Sequence, residues 1–284
     1  MISVKLQRRR AVTADRQQIA DLMAVEAYSH RHLDWKTPLQ WLGQPPYWVL
    51  EEDDQIGAAL ACPPDPDAIA WIRLFTYAPY LSASSAWSPL WEAARADLLG
   101  LGGVTVAAIA MQRWFDQLLL EGGFRLAQYI VLLEWNAEPV ADSPRLSEFT
   151  IRPMTEADLP QVVAIDSEAF EPLWQISIPA LNRAYSQAVY AAVIENASSM
   201  VGYQLSTWSP NGAHLARLAV RPQVQGRGIG TELIHDLLVH MQRGGAERIT
   251  VNTQGNNHAS LALYQKLGFH RTGEQYPVYT IRVE

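Results

Sequence analysis

Residues 215–230 read LARLAVRPQVQGRGIG, and this stretch decides how the second half of the chain folds. Its first part is mostly apolar and predicts a strand, and the three glycines between residues 226 and 230 predict a tight turn. Apolar residues then recur at helical spacing as far as Met241, and Gly244-Gly245 ends that pattern. The predicted order of elements is therefore strand, glycine turn, helix.

The turn before this helix has the chemistry of an anion site. The first N–H groups of a helix lack intrahelical partners, and the helix N-terminus carries partial positive charge. Glycines allow the backbone to approach a diphosphate closely, and Arg227 adds a positive charge. The stretch has neither the Gly-Lys-Ser/Thr of a Walker loop nor the G-x-G-x-x-G of a Rossmann turn. A turn that merely links a strand to a helix is the alternative.

A second segment, NNHASLALYQKLGF at residues 256–269, follows a β-rich stretch at residues 249–251. Together with the glycine turn, it resembles the GNAT superfamily of acyl-CoA-dependent N-acetyltransferases. Residues 151–158 (IRPMTEAD) also resemble the opening strand and helix cap of that family. The resemblance therefore covers residues 149–284.

The resemblance implies which residues hold acetyl-CoA, the expected co-substrate. The pyrophosphate is expected at the glycine turn, and the thioester beside the strand before it, where a backbone N–H stabilises the developing oxyanion. The implied binding residues are Leu218, Ala219, Val220, Gln225, Gly226, Arg227, Gly228, Ile229, Gly230, Thr231, Asn257 and Tyr264. Asn257 also suits a helix N-cap, and one residue can serve both purposes.

Tyr264 and His214 are the predicted catalytic residues. The resemblance places Tyr264 near the thioester sulfur, where a phenol can protonate the departing thiolate; a packed core aromatic is the alternative. Ribosomal-protein alanine acetyltransferases of this family have a glutamate where this chain has Asn252, and asparagine cannot take a proton. We expect His214 to act as the base, because histidine titrates in the useful range. The alternative bases are Asp166, Glu168, Glu195 and His258.

The two halves of the chain match at a nearly constant spacing of 143 to 145 residues (13 to 156, 73 to 217, 121 to 266). The matching stretches are Thr13–Asp15 with Glu156–Asp158, Arg73-Leu74 with Arg217-Leu218, and Glu121–Phe124 with Lys266–Phe269. A tandem duplication explains this match. It predicts a mixed α/β (α+β) fold of two GNAT-like domains, residues 1–136 and 148–284, joined by a linker at 137–147. Each domain is expected to be a mostly antiparallel twisted sheet flanked by helices.

The first copy lacks the residues that carry the chemistry. Residues 80–87 (YLSASSAW) stand where the second copy has its turn and contain no glycine, and Leu119 stands where the second copy has Tyr264. We therefore expect a degenerate first domain and a catalytic second domain. The first 136 residues hold eight of the ten tryptophans, which indicates either a ligand wall or an interface, or simply an aromatic core.

Composition excludes several classes of protein. A net charge of −7 argues against a nucleic-acid binder, and residues 98–111 form too short and too interrupted an apolar run to span a membrane. The single cysteine, Cys62, and the absence of a targeting segment predict a cytoplasmic protein. The His30/His32 and His235/His240 pairs lack ligand spacing, so no metal is expected.

These observations predict an N-acetyltransferase that moves the acetyl group of acetyl-CoA to a primary amine by direct attack in the C-terminal domain. The alternatives are transfer of another acyl group or to a hydroxyl, and a CoA-sensing or scaffold module without turnover. The expected acceptor is a small-molecule amine or a protein or peptide amine, with no nucleic-acid or membrane partner. We expect a monomer whose two domains pack pseudo-symmetrically.

Overall fold

The computed structural model describes residues 6–136, 146–209 and 212–284, so most of the predicted linker lies outside the described residues. The chain forms two compact units: unit 1 comprises Met1–Ala127 and Tyr276–Glu284, and unit 2 comprises Gln128–Gln275. These units differ from the contiguous domains 1–136 and 148–284, because each contains a segment from the other half of the sequence. The boundaries of the duplicated domains stay a prediction.

The strands and helices follow in chain order. The strands are β1 (Gln7–Arg10), β2 (Ser29–Arg31), β3 (Tyr47–Glu52), β4 (Gln55–Ala61), β5 (Ile69–Trp71), β6 (Leu74–Tyr77), β7 (Val104–Ile109), β8 (Arg125–Asn136), β9 (Thr150–Pro153), β10 (Tyr190–Glu195), β11 (Met200–Ser209), β12 (Gly212–Val220), β13 (Arg248–Gln254) and β14 (His270–Val283). The α-helices are α1 (Arg16–Met23), α2 (Ala83–Leu99), α3 (Arg113–Glu121), α4 (Leu159–Ala169), α5 (Ile178–Gln187), α6 (Ile229–Arg243) and α7 (His258–Lys266).

Unit 1 combines an antiparallel sheet with helices. Its strands lie in the order β1-β3-β4-β6-β2, and β5 and β7 pair in parallel beside them. The last residues of β14 complete this unit by pairing antiparallel with β7, from Ile109↔Val278 to Val104↔Val283. Hence the C-terminal residues of the chain belong to the sheet structure of its first half.

Aromatic side chains fill the core of unit 1. Trp87 packs edge-on against Phe75 with ring centroids 5.1 Å apart, and it stacks on Trp91 at 5.6 Å. Trp41 is 1 % exposed and lies in a second cluster of the same unit. Most of the tryptophans in this half therefore serve as core residues.

His30 on β2 is a histidine buried in this aromatic core. Its ring stacks on Phe115 with centroids 3.9 Å apart, and its Nε2 lies 3.1 Å from the carbonyl oxygen of Ile72. Burial lowers the pKa of His30 to about 3, because a charged ring would lose its hydration in the core. The folded protein therefore holds this ring neutral at physiological pH.

We expect His30 to make the protein acid-sensitive. Between its pKa of about 3 in the folded state and about 6.5 in the unfolded chain, the unfolded state binds the extra proton. The free energy of unfolding should therefore decrease as the pH decreases. The contribution of His30 to this decrease is about 2 to 3 kcal/mol between about pH 7 and pH 4.5. Urea unfolding of the wild type and of His30→Gln measures it, since glutamine does not titrate. The exposed His258→Gln serves as control; an unchanged pH dependence in His30→Gln would contradict the assignment.

Unit 2 has a mostly antiparallel sheet in the order β8-β13-β12-β11-β10-β9, in which only β12 and β13 pair in parallel. Helix α6 packs on it through apolar residues at helical spacing, which contact Leu215 and Val251 of the two parallel strands. The core residues of α6 are Leu233, Ile234, Leu237, Leu238 and Met241. As predicted, a mixed fold of sheet and flanking helices is present in each half, and α6 ends at Arg243 before the two glycines.

A repeated ion-pair cluster supports the duplication. In unit 1, the Arg9 guanidinium donates to both carboxylate oxygens of Asp15 at 2.7 and 2.9 Å and lies 2.6 Å from Glu51. The corresponding residues of unit 2 are Arg152, Asp158 and Glu195. The second guanidinium donates to both oxygens of its aspartate at 2.8 Å and lies 3.1 Å from its glutamate. Three charged side chains thus recur with the same pairing at the repeat spacing.

Candidate active site

Strands β12 and β13 separate after three paired residues and leave a cleft between them. They pair in parallel only as far as Leu215↔Val251 in the described residues. The register between β12 and β11 shifts directly after Leu215. Ala216 is left as an extra, unpaired residue between Leu215 and Arg217, which forms a β-bulge. A bulge bends its strand and increases the twist, so it turns residues 217–220 away from β13.

The open edge of β12 presents backbone amides to this cleft. The Arg221 N–H donates to a carbonyl of β11 at 2.8 Å, so the ladder's alternation directs the N–H groups of Leu218 and Val220 away from β11. The Val220 carbonyl points the same way, since it accepts from Gln225 Nε2 at 2.9 Å. The Ala219 N–H faces β11 instead. Two of the three predicted strand residues thus offer amides to the cleft.

The glycine turn leaves the N-terminus of α6 open. Gly226 and Gly228 have φ values of 78° and 86°, in the left-handed region that side chains disfavour. The helix begins at Ile229 without a side-chain cap, and its first bond runs from the Glu232 N–H to the Gly228 carbonyl at 3.0 Å. The amides of the first turn therefore remain available to an anion.

Gly230 has a different role from the other two glycines. Its φ is ordinary, but a Cβ there would lie 2.9 Å from Cδ2 of Leu263 on α7. The third glycine therefore allows α6 and α7 to approach each other at the turn. Arg227 is exposed at the same turn and can add positive charge from the solvent side.

A cavity of about 510 Å³ connects the turn, the open strand edge and α7. Ten of the twelve predicted binding residues line it: Leu218, Ala219, Val220, Gln225, Gly226, Gly228, Ile229, Gly230, Thr231 and Asn257. Arg227 and Tyr264 are not among the lining residues. The structure therefore brings together a predicted set whose members lie up to 39 positions apart (218 to 257).

One face of α7 also lines this cavity, and sequence reasoning missed it. The additional residues on this helix are Ala259, Ser260, Ala262, Leu263 and Lys266. Residues 259, 262, 263 and 266 recur at the spacing of one helical face, which was a readable signal. The small side chains of Ala259, Ser260 and Ala262 keep the helix surface open to a ligand.

Asn257 is the N-cap of α7 and lines the cavity as well. Its Oδ1 accepts the Ser260 N–H at 3.1 Å, and its Nδ2 lies 3.4 Å from Gln254 Oε1. The capping role is therefore observed directly. Because the side chain lies at the cavity wall, contact with a ligand is compatible with that role.

Tyr264 lies in the core of unit 2. Its side chain packs 5.6 Å from the Phe269 ring, and the residue is 5 % exposed. Burial raises the pKa of the Tyr264 phenol, so the hydroxyl stays protonated at neutral pH and can donate a hydrogen bond. The packing role is observed, and the catalytic role stays a prediction.

His214 lies on the opposite face of β12 from the α6 core. Its Nδ1 is 2.8 Å from Thr250 Oγ1 on β13. Burial lowers the pKa of His214, while hydrogen bonds with Asn252 and Thr250 act in the other direction, so the ring is neutral at pH 7. Residues 250, 252 and 254 share one face of β13, because side chains alternate along a strand. This face leads from His214 towards Gln254.

Three of the alternative bases are tied into ion pairs. Asp166, Glu168 and Glu195 each contact a guanidinium, so each of these carboxylates already has a charged partner. Their partners are Arg217, Arg221 and Arg152. The fourth, His258, is exposed at the start of α7. Of the candidates, His214 alone is both half-buried and without a charged partner among the described residues.

A second cavity, of about 250 Å³, meets the first at Ala169, Phe170 and Asn257, which line both. Its wall combines two aromatic rings, one carboxylate and four carboxamides. These residues are Phe170, Trp174, Glu171, Gln128, Gln254, Asn256 and Asn257. Aromatic faces and a carboxylate attract an ammonium group, and carboxamides donate and accept hydrogen bonds.

Asp166 anchors the loop that supplies the aromatic wall. Its carboxylate is 0 % exposed and accepts the Ile176 N–H at 2.9 Å and the Tyr203 hydroxyl at 2.5 Å. It also accepts Nε and Nη2 of Arg217 at 2.5 and 2.8 Å. Each carboxylate oxygen therefore has two donors, as a buried charge requires.

Arg217 connects the Asp166 network to two residues that line the second cavity. Its Nη2 donates to the Trp174 carbonyl at 2.5 Å, and its guanidinium lies 4.4 Å from the centre of the Phe170 ring. The positions of both aromatic wall residues thus depend on a buried ion pair. Residues 170–176 have no helix or strand periodicity, so sequence reasoning found no site there.

The corresponding helix of unit 1 has no open N-terminus. The Ser85 N–H of α2 donates to the Ser82 side chain at 3.2 Å, so the chain caps this helix itself. Residues 78–85 contain no glycine. Among the described residues, the structure contains no apolar helix of membrane-spanning length and no group of three metal-ligating side chains.

Comparison with known proteins identifies the relatives of this chain. Residues 159–269 match the Acetyltransferase (GNAT) family. The chain is 31 % identical over 139 residues to N-alpha-acetyltransferase RimI of Mycobacterium tuberculosis, covering 46 % of this chain and 85 % of that protein. It is 27 % identical over 175 residues to a mycothiol acetyltransferase of Saccharomonospora viridis, covering 54 % and 56 % of the two proteins.

Two solved structures share the fold along the whole chain. A GCN5-related N-acetyltransferase from Sphaerobacter thermophilus matches with a TM-score of 0.68 and 18 % identity, covering 100 % of this chain and 98 % of that one. A tandem GNAT protein from the clavulanic acid biosynthesis pathway matches with a TM-score of 0.66 and 15 % identity, covering 99 % of both. These two structures share the duplicated fold, and the 31 % identity to a relative that is covered over 85 % of its length shows the family: the chain belongs to the GNAT family of acetyltransferases.

Proposed function

We propose that unit 2 transfers the acetyl group of acetyl-CoA to a primary amine by direct attack. The observation that carries this proposal is the meeting of two cavities at Phe170 and Asn257. One has an anion site and a strand edge with free amides; the other has a wall suited to an ammonium group. A donor and an acceptor would meet at the shared residues.

The first cavity fits acetyl-CoA. The uncapped start of α6, with left-handed Gly226 and Gly228, suits a pyrophosphate, and the amides of Leu218 and Val220 suit the pantetheine chain. When bound, acetyl-CoA supplies a thioester carbonyl that an amine can attack. The two β12 amides can also stabilise negative charge on that carbonyl oxygen.

Proton transfer is the other requirement, because an ammonium has no lone pair for attack. A lysine side chain has a pKa near 10.4 and an α-amine one near 8, so either must lose a proton. We assign His214 as the base, since its ring is neutral and lies on the β13 face that leads to the second cavity. A water molecule would carry the proton from the amine in the second cavity to the His214 ring.

The leaving thiolate needs a hydrogen-bond donor. We assign this role to Tyr264, whose phenol stays protonated because burial raises its pKa. The N–C bond forms as the C–S bond breaks, and the phenol gives its proton to the sulfur. The new amide nitrogen then loses its extra proton, which restores the phenol, so an ammonium and a thioester become an amide, a thiol and the one proton that His214 has passed to the solvent.

Phenylalanine in place of Tyr264 tests this assignment. We expect kcat to fall about 100-fold, at the low end for a general acid, with acetyl-CoA affinity unchanged. Thiol release measures kcat on a panel of primary amines that includes an alanine-terminated peptide and an amino sugar, and calorimetry measures affinity. The matched control is Tyr185→Phe, which loses a hydrogen bond to the Met154 carbonyl in the same unit.

The outcomes separate the proposal from its alternatives. Amine-dependent thiol release that Tyr264→Phe lowers and Tyr185→Phe preserves supports transfer to an amine. Thiol release only with hydroxyl acceptors would show that the acceptor is an alcohol. Release only with longer acyl-CoA donors would show that the transferred group is not acetyl. Saturable acetyl-CoA binding without turnover on any acceptor favours the sensor or scaffold alternative.

A further inference from the structure

The cleft beside β12 is open in unit 2, whereas a strand of the chain itself fills the corresponding place in unit 1. At the repeat spacing, β6 corresponds to residues 218–221 (74 to 218). One edge of β6 pairs with β4, and its other edge pairs with β2 from Ser29↔Thr76 to Arg31↔Leu74. The edge that faces the cleft in unit 2 is therefore covered by a strand here. With α2 capped as well, unit 1 lacks the acyl-CoA slot.

A cavity of about 390 Å³ nevertheless lies beside β2. It includes Gln112, which precedes α3 as Asn257 precedes α7 at the repeat spacing (112 to 257). Asn257 is one of the three residues that line both cavities of unit 2. Unit 1 has thus kept a cavity at the corresponding place, and its volume lies in the ordinary range of small-molecule sites, about 300–1,000 Å³.

Two cations and two carboxylates line this cavity, and three of these four groups are in ion pairs. Arg31 pairs with Glu26 at 3.0 Å, and Asp34 pairs with Arg73 at 2.9 Å. Lys36 also lines the cavity, and its ammonium lies 3.8 Å from the centre of the Trp41 ring. No carboxylate contacts this ammonium in the described part of the chain. Lys36 is therefore the charged group of this wall that is available to an anionic group of a ligand.

Two buried polar atoms at the same cavity have no partner. Gln112 donates from Nε2 to the Ser29 carbonyl at 3.3 Å, but its Oε1 is unpaired in the described residues. His32 stacks on Trp71 at 4.6 Å, and its Nδ1 is likewise unpaired. Unpaired buried polar atoms are costly and uncommon in native structures. Gln112 Oε1 can only accept, so it calls for a donor on the ligand.

The geometry points to a second ligand site in unit 1, for a small carboxylate that also carries a hydroxyl or amino group. The carboxylate lies towards Lys36, and its hydroxyl or amino group donates to Gln112 Oε1. The neutral His32 ring accepts or donates, whichever its tautomer permits. Unit 1 is then a binding module that has lost the transferase slot and kept a ligand cavity. This assignment stands on unit 1 alone and is independent of the reaction in unit 2.

Calorimetry and tryptophan fluorescence of the full chain test the site with two probes, L-serine and glycolate. Trp41 and Trp71 lie under Lys36 and His32, so occupancy should change the emission. We expect one saturable site per chain with an affinity on the order of 1 mM, as suits such small ligands. Propionate, which lacks the donor, and ethanolamine, which lacks the carboxylate, should each bind at least tenfold more weakly.

Two variants locate the probe. Lys36→Met and Gln112→Leu should each weaken binding at least tenfold, whereas Arg95→Met and Gln17→Leu, exposed matched changes in the same unit, should leave it unchanged. Because the two cavity variants alter different contacts, either of them that folds tests the proposal. Acetyl-CoA at saturation should leave the affinity for L-serine unchanged, since the two ligands occupy different sites.

Three results would overturn the proposal. No saturable response to either carboxylate at about 10 mM would exclude this ligand class. Equal binding of propionate and glycolate would remove the role of Gln112. Competition between the probes and acetyl-CoA would place the probe in unit 2, and it would leave the proposed transferase function intact.

Discussion

Valine in place of Gly228 is expected to weaken acetyl-CoA binding about 1,000-fold. The φ of 86° at this residue positions the open amides of the first turn of α6, and a β-branched side chain disfavours this left-handed conformation, so the turn would rearrange. Losing about three charge-assisted hydrogen bonds, at roughly 1.5 kcal/mol or more each, corresponds to this change in affinity. Isothermal titration of acetyl-CoA into the full chain measures the dissociation constant.

Gly245 offers a matched control at the other end of the same helix. It also has a φ of 86°, and nothing lies within 4 Å of the position that its Cβ would take. Gly245→Val therefore introduces the same backbone strain, about 1–2 kcal/mol, without touching the anion site. We expect both variants to lose similar stability and only Gly228→Val to lose affinity.

The stoichiometry of the same titration tests the difference between the two units. The wild type should bind one acetyl-CoA per chain, because α2 is capped by Ser82 and β2 covers the edge of β6. Binding to two sites would contradict this account of unit 1. Equal affinities for the Gly228 and Gly245 variants would show that the pyrophosphate lies elsewhere.

Asparagine in place of Asp166 is expected to lower the free energy of unfolding by about 3–5 kcal/mol. The substitution keeps the volume but removes the negative charge that faces Arg217, whose side chain is only 17 % exposed. A charge left in this position without its partner loses hydration and gains nothing in return. Urea unfolding followed by circular dichroism measures the change.

Two controls separate the buried charge from general effects of substitution. The double variant Asp166→Asn/Arg217→Met removes the unpaired charge and should be more stable than the single variant. Glu284→Gln breaks an exposed ion pair with Arg282 and should cost less than about 1 kcal/mol. An Asp166→Asn variant as stable as Glu284→Gln would show that the network does not hold the loop.

The Asp166→Asn variant also tests whether the ion pair with Arg217 supports the second cavity, where the amine is proposed to bind. Arg217 holds the Trp174 carbonyl and lies beside Phe170, so loss of its partner should loosen the wall of the second cavity. If the proposed function is right, KM for the amine rises more than KM for acetyl-CoA. The glycine turn is far from this network in the sequence and contributes no atom to it.

Much of the candidate site could be predicted from sequence, because its physics is local. The glycine turn works through the φ values of neighbouring residues and the first amides of one helix. The N-cap role of Asn257 likewise depends on a contact three residues away, at Ser260. Even the capped helix of unit 1 could be anticipated, since residues 80–87 lack glycine and contain serines.

The acceptor side could not be predicted in this way. The wall at Phe170 and Trp174 follows no period and is held by Arg217, which lies 43 positions after Trp174. Tyr264 illustrates the same limit: Leu263 and Lys266 of α7 line the cavity, Tyr264 packs in the core beside Phe269, and its catalytic role stays a prediction. Which face of a helix meets a ligand depends on how the helix packs.

The sequence by itself determined the duplication, the glycine turn before α6 and the absence of that turn from the first copy, because each follows from residue identity over a short stretch. Tertiary structure alone decided that residues 276–284 complete unit 1 and that β2 covers the edge of β6. It also decided that Asp166 and Arg217 support the second cavity. These features arise from contacts between residues far apart in the chain, whose free energy depends on packing and burial in the folded state.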